Sequence, residues 1–172
     1  MVKNRRLILM CAAAATLAVS ACGFHVRGAN GSAMLPFKTM FINVAGSASL
    51  GIELRRNIEG AGGTDVIDDE KAAEVKLDIL SNSRDKQVLT LNSQGRVREY
   101  TLFSRLTFQV RDNAGNILLA PTPITLRRTM SYDESLVLAK ESEEATLYRE
   151  MQSDMVQQIL RRLAVIKSAP AR

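Results

Sequence analysis

The sequence predicts an α+β fold, a two-layer sandwich with two helices packed on one face of a four-stranded, mostly antiparallel sheet, in the order strand-helix-strand-strand-strand-helix. Three observations carry this reading. Apolar residues recur every three or four positions in two separate stretches, residues 50–61 and 148–166. Long segments of apolar-polar alternation lie between them, joined by Gly-containing turns, which is the mark of half-buried strands in hairpins. The composition, 46% hydrophobic and 24% charged over 172 residues with 10 Gly and 4 Pro, is that of one ordinary globular domain.

The elements follow in order. Residues 37–44 (FKTMFINV) favour a strand. Ser47 and Ser49 are both acceptable N-caps for a helix whose buried stripe is Leu50, Leu54, Ile58 and Ala61, and Gly60, Gly62 and Gly63 end it. Val75, Leu77 and Ile79 alternate with Glu74, Lys76 and Asp78; the alternation breaks at Ser81-Asn82-Ser83 and resumes over residues 88–91. Asn92-Ser93-Gln94-Gly95 is turn chemistry. Beyond it Tyr100, Leu102, Leu106, Phe108 and Val110 share one parity, with Phe103 the exception on the other. A second turn spans residues 112–116. The last strand carries Pro121 and Pro123, a pattern of an edge or a bulge, before Ile124, Leu126, Met130 and Tyr132 resume the alternation. Tyr148, Met151, Met155, Ile159, Leu163 and Ile166 then trace one face of the final helix, widened by Val156 and Leu160. If the first two strands are parallel neighbours, their helical connection crosses right-handed.

The first twenty-two residues read as an address. Lys3, Arg5 and Arg6 form a positive start, and residues 7–19 run apolar apart from Thr16, too short to span a bilayer, which takes about 20 residues. Val19-Ser20-Ala21-Cys22 resembles the lipobox of bacterial lipoproteins; that pattern implies cleavage before Cys22, a diacylglycerol on its thiol and an acylated amino group. An ordinary signal peptide with a chance cysteine is the alternative. Gly23 in the second mature position implies outer-membrane sorting rather than inner-membrane retention. The expected divisions are a signal over residues 1–21, a lipidated tether over 22–36, one α+β domain over 37–167 and a tail over 168–172. Removal of the signal leaves 20 basic and 18 acidic residues, and with Cys11 lost and Cys22 acylated no internal disulfide is possible.

The inventory excludes most catalytic chemistry. His25, three residues from the anchor, is the single histidine, so a His/Cys metal cluster or a Ser-His-Asp or Cys-His apparatus is not expected, and neither is a cofactor. Asp68-Asp69-Glu70 and Glu143-Glu144 lack the spacing of a calcium loop, and no Gly-rich phosphate loop follows a strand. No Trp and 5% aromatics suit single-stranded nucleic acid poorly. The charges do segregate: residues 84–128 hold eight basic side chains against three acids, whereas residues 133–154 hold seven acids against Lys140 and Arg149. The basic meander fits phosphates or an acidic protein wall; the plain alternative is a solvated sheet face paired with the acidic helix.

The opening Cys22-Gly23-Phe24-His25-Val26-Arg27 resembles the start of the LPS-assembly lipoprotein family, LptE. Arg98-Glu99-Tyr100 opening a strand, Leu138-Ala139-Lys140 ahead of the last helix, and the ending Gln158-Ile159-Leu160-Arg161-Arg162-Leu163 extend the resemblance over nearly all of the mature chain. It implies a non-enzymatic outer-membrane lipoprotein, facing the periplasm and lodged in the lumen of the LptD β-barrel. There it plugs and helps assemble the barrel and assists lipopolysaccharide delivery to the outer leaflet. It also implies lipopolysaccharide binding through basic side chains: Lys140 matches one such position, while the second, at the hairpin tip, reads Asn92-Ser93, so that Arg96 and Arg98 are the expected substitutes. Two rivals remain open: a scaffold or accessory lipoprotein of another outer-membrane barrel or secretion pore, and a periplasmic lipid carrier with its own apolar cavity.

Overall fold

The structure, a computed structural model, describes residues 35–44 and 46–166. The signal, Cys22, His25, the tether up to residue 34 and the tail lie outside them. The described chain forms β1 (Thr39–Val44), α1 (Ala48–Ala61), β2 (Asp65–Val66), β3 (Val75–Leu91), β4 (Val97–Asp112), β5 (Ile117–Ser131), a 3₁₀ turn (Glu134–Leu136) and α2 (Val137–Leu163). The sheet order is β2-β1-β3-β4-β5. β1 is parallel to β2 and β3, while β3, β4 and β5 are antiparallel. The expected α+β architecture is present, with five strands instead of four.

The additional strand is β2. Two residues are too few to show an alternation, and hydrogen bonding rather than pattern holds them: the Asp65 and Ile67 amides donate to the Lys38 and Met40 carbonyls, each at 2.9 Å. The buried Thr64 hydroxyl donates to the Phe37 carbonyl at 2.7 Å and closes the same junction.

Both helices cover one face of the sheet. Leu50, Leu54 and Ile58 of α1 and Met155, Val156, Ile159, Leu160 and Leu163 of α2 share one apolar core with Met40, Val75, Leu77, Leu106, Phe108, Val110 and Ile124. Each such side chain contributes about 1.5–3 kcal/mol when fully withdrawn from water. The helices are stitched by polar contacts as well: Gln152 Nε2 and Ser153 Oγ donate to Glu53 at 2.7 and 2.5 Å, and Gln157 Nε2 to Asn57 at 3.2 Å. Leu102, Tyr148 and Met151 form a second, smaller cluster beneath the N-terminal half of α2.

The break at residues 81–83 is a change of parity, not the end of a strand. β3 runs unbroken, with the register shifting between Ile79 and Ser81 so that Leu80 is bulged out. Before the bulge Val75, Leu77 and Ile79 face the helices. After it Asn82, Arg84, Lys86 and Val88 do, opposite Leu106, Ser104, Leu102 and Tyr100. The far half of the hairpin is therefore lined by long polar side chains on its helical side. The prolines of β5 act as expected at an edge: the ladder with β4 slips between the pairs Phe108–Thr122 and Val110–Leu119.

Two local details refine the helix ends. Ser47 occupies the N-cap of α1 without capping it; its hydroxyl accepts from Asn82 Nδ2 at 2.8 Å instead. Leu138, Ala139 and Lys140, expected ahead of the last helix, form its first turn.

α1 approaches β1 closely at Gly51, where an added Cβ would stand 2.7 Å from Val44 Cγ2. Overpacking costs about 1–3 kcal/mol, against a gain of about 1 kcal/mol in helix propensity for Gly→Ala. Gly51→Ala should thus destabilise the fold by up to about 2 kcal/mol in urea denaturation. In a Val44→Ala background the same change should become neutral or stabilising; equal loss in both backgrounds would contradict this packing account.

Candidate functional site

The β3–β4 hairpin ends in a tight turn that the side chain of Asn92 builds. Asn92 Oδ1 accepts from the amides of Gln94 and Arg96 at 3.0 and 2.9 Å, its own amide donates to the Arg96 carbonyl at 2.8 Å, and Gly95 takes the positive φ of 78° that the turn demands. Asparagine at this position is thereby accounted for locally: the side chain is committed to the backbone. The chain leaves the turn through Arg96, Val97 and Arg98. These three line an open groove of about 350 Å³ with Asn92 on one side and Tyr132, Asp133 and Glu134 on the other.

The far wall is set by the end of β5. The Tyr132 amide donates to the Arg98 carbonyl at 2.8 Å, and the Tyr132 ring meets Tyr100 edge-on at 5.1 Å between centroids. Asp133 caps the 3₁₀ turn, accepting from the Ser135 hydroxyl at 2.7 Å and its amide at 2.9 Å. Those two bonds hold its carboxyl below the usual range, with Lys140 adding to them against a smaller opposing effect of burial. Asp133 is thus a fixed anion that keeps the groove's wall in shape.

The basic meander is largely neutralised, in part by acids of α2 and in part by acids of β3 and the 3₁₀ turn. Lys86 Nζ donates to Glu144 at 2.7 Å and lies 4.8 Å over the Tyr100 ring; the Glu144 bond raises its pKa against a smaller opposing cost of burial. Arg128 meets Asp154 at 2.8 Å, Arg96 meets Glu134 at 3.5 Å, Arg105 meets Asp85 at 3.7 Å, and Arg111 meets Asp78 at 2.7 Å. Arg84 stacks on Tyr148 at 5.1 Å and donates to Gln152 at 3.2 Å. Among the described residues, Arg98 and Arg127 are the members of the meander with no acid or aromatic partner. The plain alternative, a basic sheet paired with an acidic helix, therefore describes part of the surface.

The structure brings Arg96 and Arg98 into one groove and sets Lys140 behind it. Lys140 is only 15% exposed; its ammonium donates to Ser131 Oγ at 2.9 Å and to Glu143 at 2.8 Å. Arg96, at 63% exposure, holds Glu134 loosely. Sequence reasoning missed Tyr132, Asp133 and Glu134 as lining residues. The register supplies their signal, because Tyr132 pairs with Arg98 as soon as Ser131 is aligned with Glu99. Apolar side chains flank the groove's end of the molecule. Leu89 and Leu91 on β3 and Leu136, Val137 and Leu138 where α2 begins are all exposed, Leu138 by 82%.

A second polar cluster lies on the sheet face away from the helices. Asp78 is 5% exposed there and accepts from Arg111 Nε at 2.7 Å and from Asn43 Nδ2 and Gln109 Nε2 at 3.2 Å each. Burial pushes its pKa up, but the three side-chain bonds and the Arg111 charge together outweigh burial and hold it below the ordinary 3.8. Asn43, Asp78 and Gln109 are directly aligned across β1, β3 and β4, so the network is a cross-strand brace. No group of three or more His, Cys, Asp or Glu side chains suited to a metal ion occurs among the described residues.

Comparison with known proteins agrees with this geometry. Residues 37–163 match the family model described as LptE, lipopolysaccharide-assembly. The chain is 27% identical over 169 residues to the LPS-assembly lipoprotein LptE of Pectobacterium atrosepticum, covering 96% of this chain and 89% of that protein. Among solved structures it is similar to lipoprotein B of Nitrosomonas europaea, with a TM-score of 0.73 and 33% identity over 86% of this chain and 94% of the other. It is likewise similar to a minor lipoprotein of Acinetobacter baumannii, with a TM-score of 0.62 and 27% identity over 76% and 92% of the two chains. The family match spans β1 through the end of α2, the whole of the sandwich and the groove at its tip, and by it the chain belongs to the LptE lipopolysaccharide-assembly family.

Proposed function

We propose that the protein is an outer-membrane lipoprotein, anchored through acyl groups on Cys22, that plugs and helps assemble the LptD β-barrel and binds lipopolysaccharide at its hairpin tip during delivery to the outer leaflet. The observation that carries the ligand site is the tip groove. Arg98 lines it with no acid partner among the described residues, and Arg96 stands beside it in a weak, exposed pair. A phosphate oxygen competes well for both guanidiniums through charge-assisted bonds. Exposed Leu89, Leu91, Leu136 and Leu138 at the same end supply apolar contact beside the charge, as an amphiphile requires. Lys140 serves here as the residue that steadies Ser131 and Glu143 behind the groove, with its own charge the less available of the three.

The rest of the proposal is supported by family membership and by chemistry. A sandwich whose outer sheet face is polar and braced suits a water-filled barrel lumen. Several acyl chains hold a membrane far better than one, at about 0.8 kcal/mol per buried CH₂. The test is isolation of the protein from outer membranes in mild detergent. The expected result is co-purification with LptD and an N-terminal mass showing a thioether diacylglycerol and an amide-linked acyl chain on Cys22. An unmodified Cys22, or recovery with a different barrel in place of LptD, would contradict the proposal.

A further inference from the structure

The free edge of the sheet is half closed and half open. β5 is the last strand in the order β2-β1-β3-β4-β5, so among the described residues one side of it has no neighbouring strand. Its hydrogen-bond phase is fixed by the Tyr132 amide donating to the Arg98 carbonyl. With Ser131 aligned to Glu99 and no shift as far as Phe108–Thr122, the even-numbered residues of β5 exchange bonds with β4. The amides and carbonyls of the odd-numbered residues therefore point outward. Two side-chain contacts agree: the Pro123 carbonyl accepts from Arg162 and the Arg127 carbonyl from Arg128, each at 3.3 Å, and neither carbonyl is taken by β4.

That phase divides the edge. Pro121 and Pro123 leave no outward amide over residues 121–123, beside the slip in the ladder, and Arg162 covers the Pro123 carbonyl. Such prolines guard an edge against pairing. From residue 125 to 131 the guard is absent. Thr125, Arg127, Thr129 and Ser131 present outward amides and are exposed, over a length of about 20 Å.

The charge on this stretch selects what pairs with it. β5 contains no Asp or Glu, and Arg127 has no acid partner among the described residues. Its side chain stands on the face away from the helices, next to Thr125 and Thr129, opposite Phe103 of β4. Pairing two copies of the chain antiparallel about the centre of this edge, at Arg127, would set arginine against arginine, and like charges across a ladder are unfavourable. We infer that residues 125–131 of β5 are a docking edge for an extended, carboxylate-bearing segment of a partner polypeptide, laid down as a sixth strand with an acidic side chain opposite Arg127. The Arg128 guanidinium then leaves the Arg127 carbonyl to an incoming amide and keeps Asp154. This surface adjoins the tip groove only at its Ser131 end and is tested without lipopolysaccharide or a barrel.

The experiment follows backbone amide exchange by NMR in the full chain in mild detergent. The probe is a blocked peptide of alternating Glu and Val, with a Lys-and-Val peptide as its counterpart. The acidic peptide should slow exchange at Thr125, Arg127 and Thr129 at least tenfold, and the basic peptide should not. Thr129→Pro, which places a third proline in the phase of the existing two, should abolish the protection while leaving the thermal unfolding midpoint close to that of the parent. Arg127→Glu should transfer the preference to the basic peptide. Absence of protection by the acidic peptide, equal protection by both, or protection that survives Thr129→Pro would overturn the inference. So would protection of the same amides by self-association without any peptide.

Discussion

Reversing both tip charges, Arg96→Glu with Arg98→Glu, lowers lipopolysaccharide binding by the purified protein at least tenfold. Each charge-assisted bond to a phosphate contributes about 1.5–3 kcal/mol, and a tenfold change corresponds to about 1.4 kcal/mol. Loss of one such contact therefore suffices, and reversal adds repulsion. The two positions are unequal. Part of the Arg96 charge is already taken up by Glu134, whereas Arg98 has no acid partner among the described residues and offers its whole charge to a phosphate. Arg98→Glu alone should carry the larger share. The matched control, Arg56→Glu with Arg161→Glu, makes the same change in net charge on exposed positions of α1 and α2 away from the tip. Equal loss in the control would mean that bulk charge, rather than the groove, attracts the ligand. Lys140→Gln should weaken binding less than Arg98→Glu, because its ammonium is mostly covered and paired. Titration by fluorescence or calorimetry at two salt concentrations reads all four variants, and affinity should fall with salt.

Asp78→Ala should destabilise the fold by about 2 kcal/mol, because it removes the one buried acceptor shared by the Arg111 guanidinium and the Asn43 and Gln109 amides, whose half-exposed donors then turn to water. Asp78→Asn retains shape and part of the bonding and should cost less. The carboxylate also predicts the direction of pH dependence. Its folded pKa lies below the unfolded value near 3.8, so its stabilising contribution is fully present above that value and is lost as the pH falls through the folded pKa. Denaturant midpoints measured from pH 6 downward should decline for the parent below about pH 4, and Asp78→Asn should flatten that decline. A parallel decline in both proteins would assign the acid sensitivity to other groups.

The parts of the fold legible in the sequence are those in which one periodicity holds over many residues. β4 alternates apart from Phe103 and Ser104, and its buried parity is the one its other apolar residues mark; the stripe of α2 from Tyr148 to Leu163 is buried as spaced. What escaped has a physical reason in each case. β2 is two residues long and rests on backbone bonds. The bulge at Leu80 inverts the parity of β3, so a continuous strand looks interrupted. The first turn of α2 is exposed, and an exposed turn carries no apolar stripe to betray it. At the tip, the choice of Arg96 and Arg98 followed from their place after the turn, and their two-residue spacing where β4 begins sets both on the groove. The pairing of Arg96 with Glu134 was not legible, since 38 residues separate them and the 3₁₀ turn after β5 brings them together, whereas the Lys140–Glu143 pair, three residues apart in α2, becomes legible once the helix is known to begin at Val137. Asp78 looked like an ordinary wet-face residue, because burial on that face comes from long neighbours on adjacent strands.

The account rests on contact between the hairpin tip and lipopolysaccharide, and a photo-cross-linking amino acid at Ser93, on the turn itself, reports it most directly. In intact outer membranes, irradiation should yield an adduct carrying lipopolysaccharide from position 93 and none from the same residue placed at Arg56 on α1. No adduct at position 93, or equal adducts at both positions, would contradict the account.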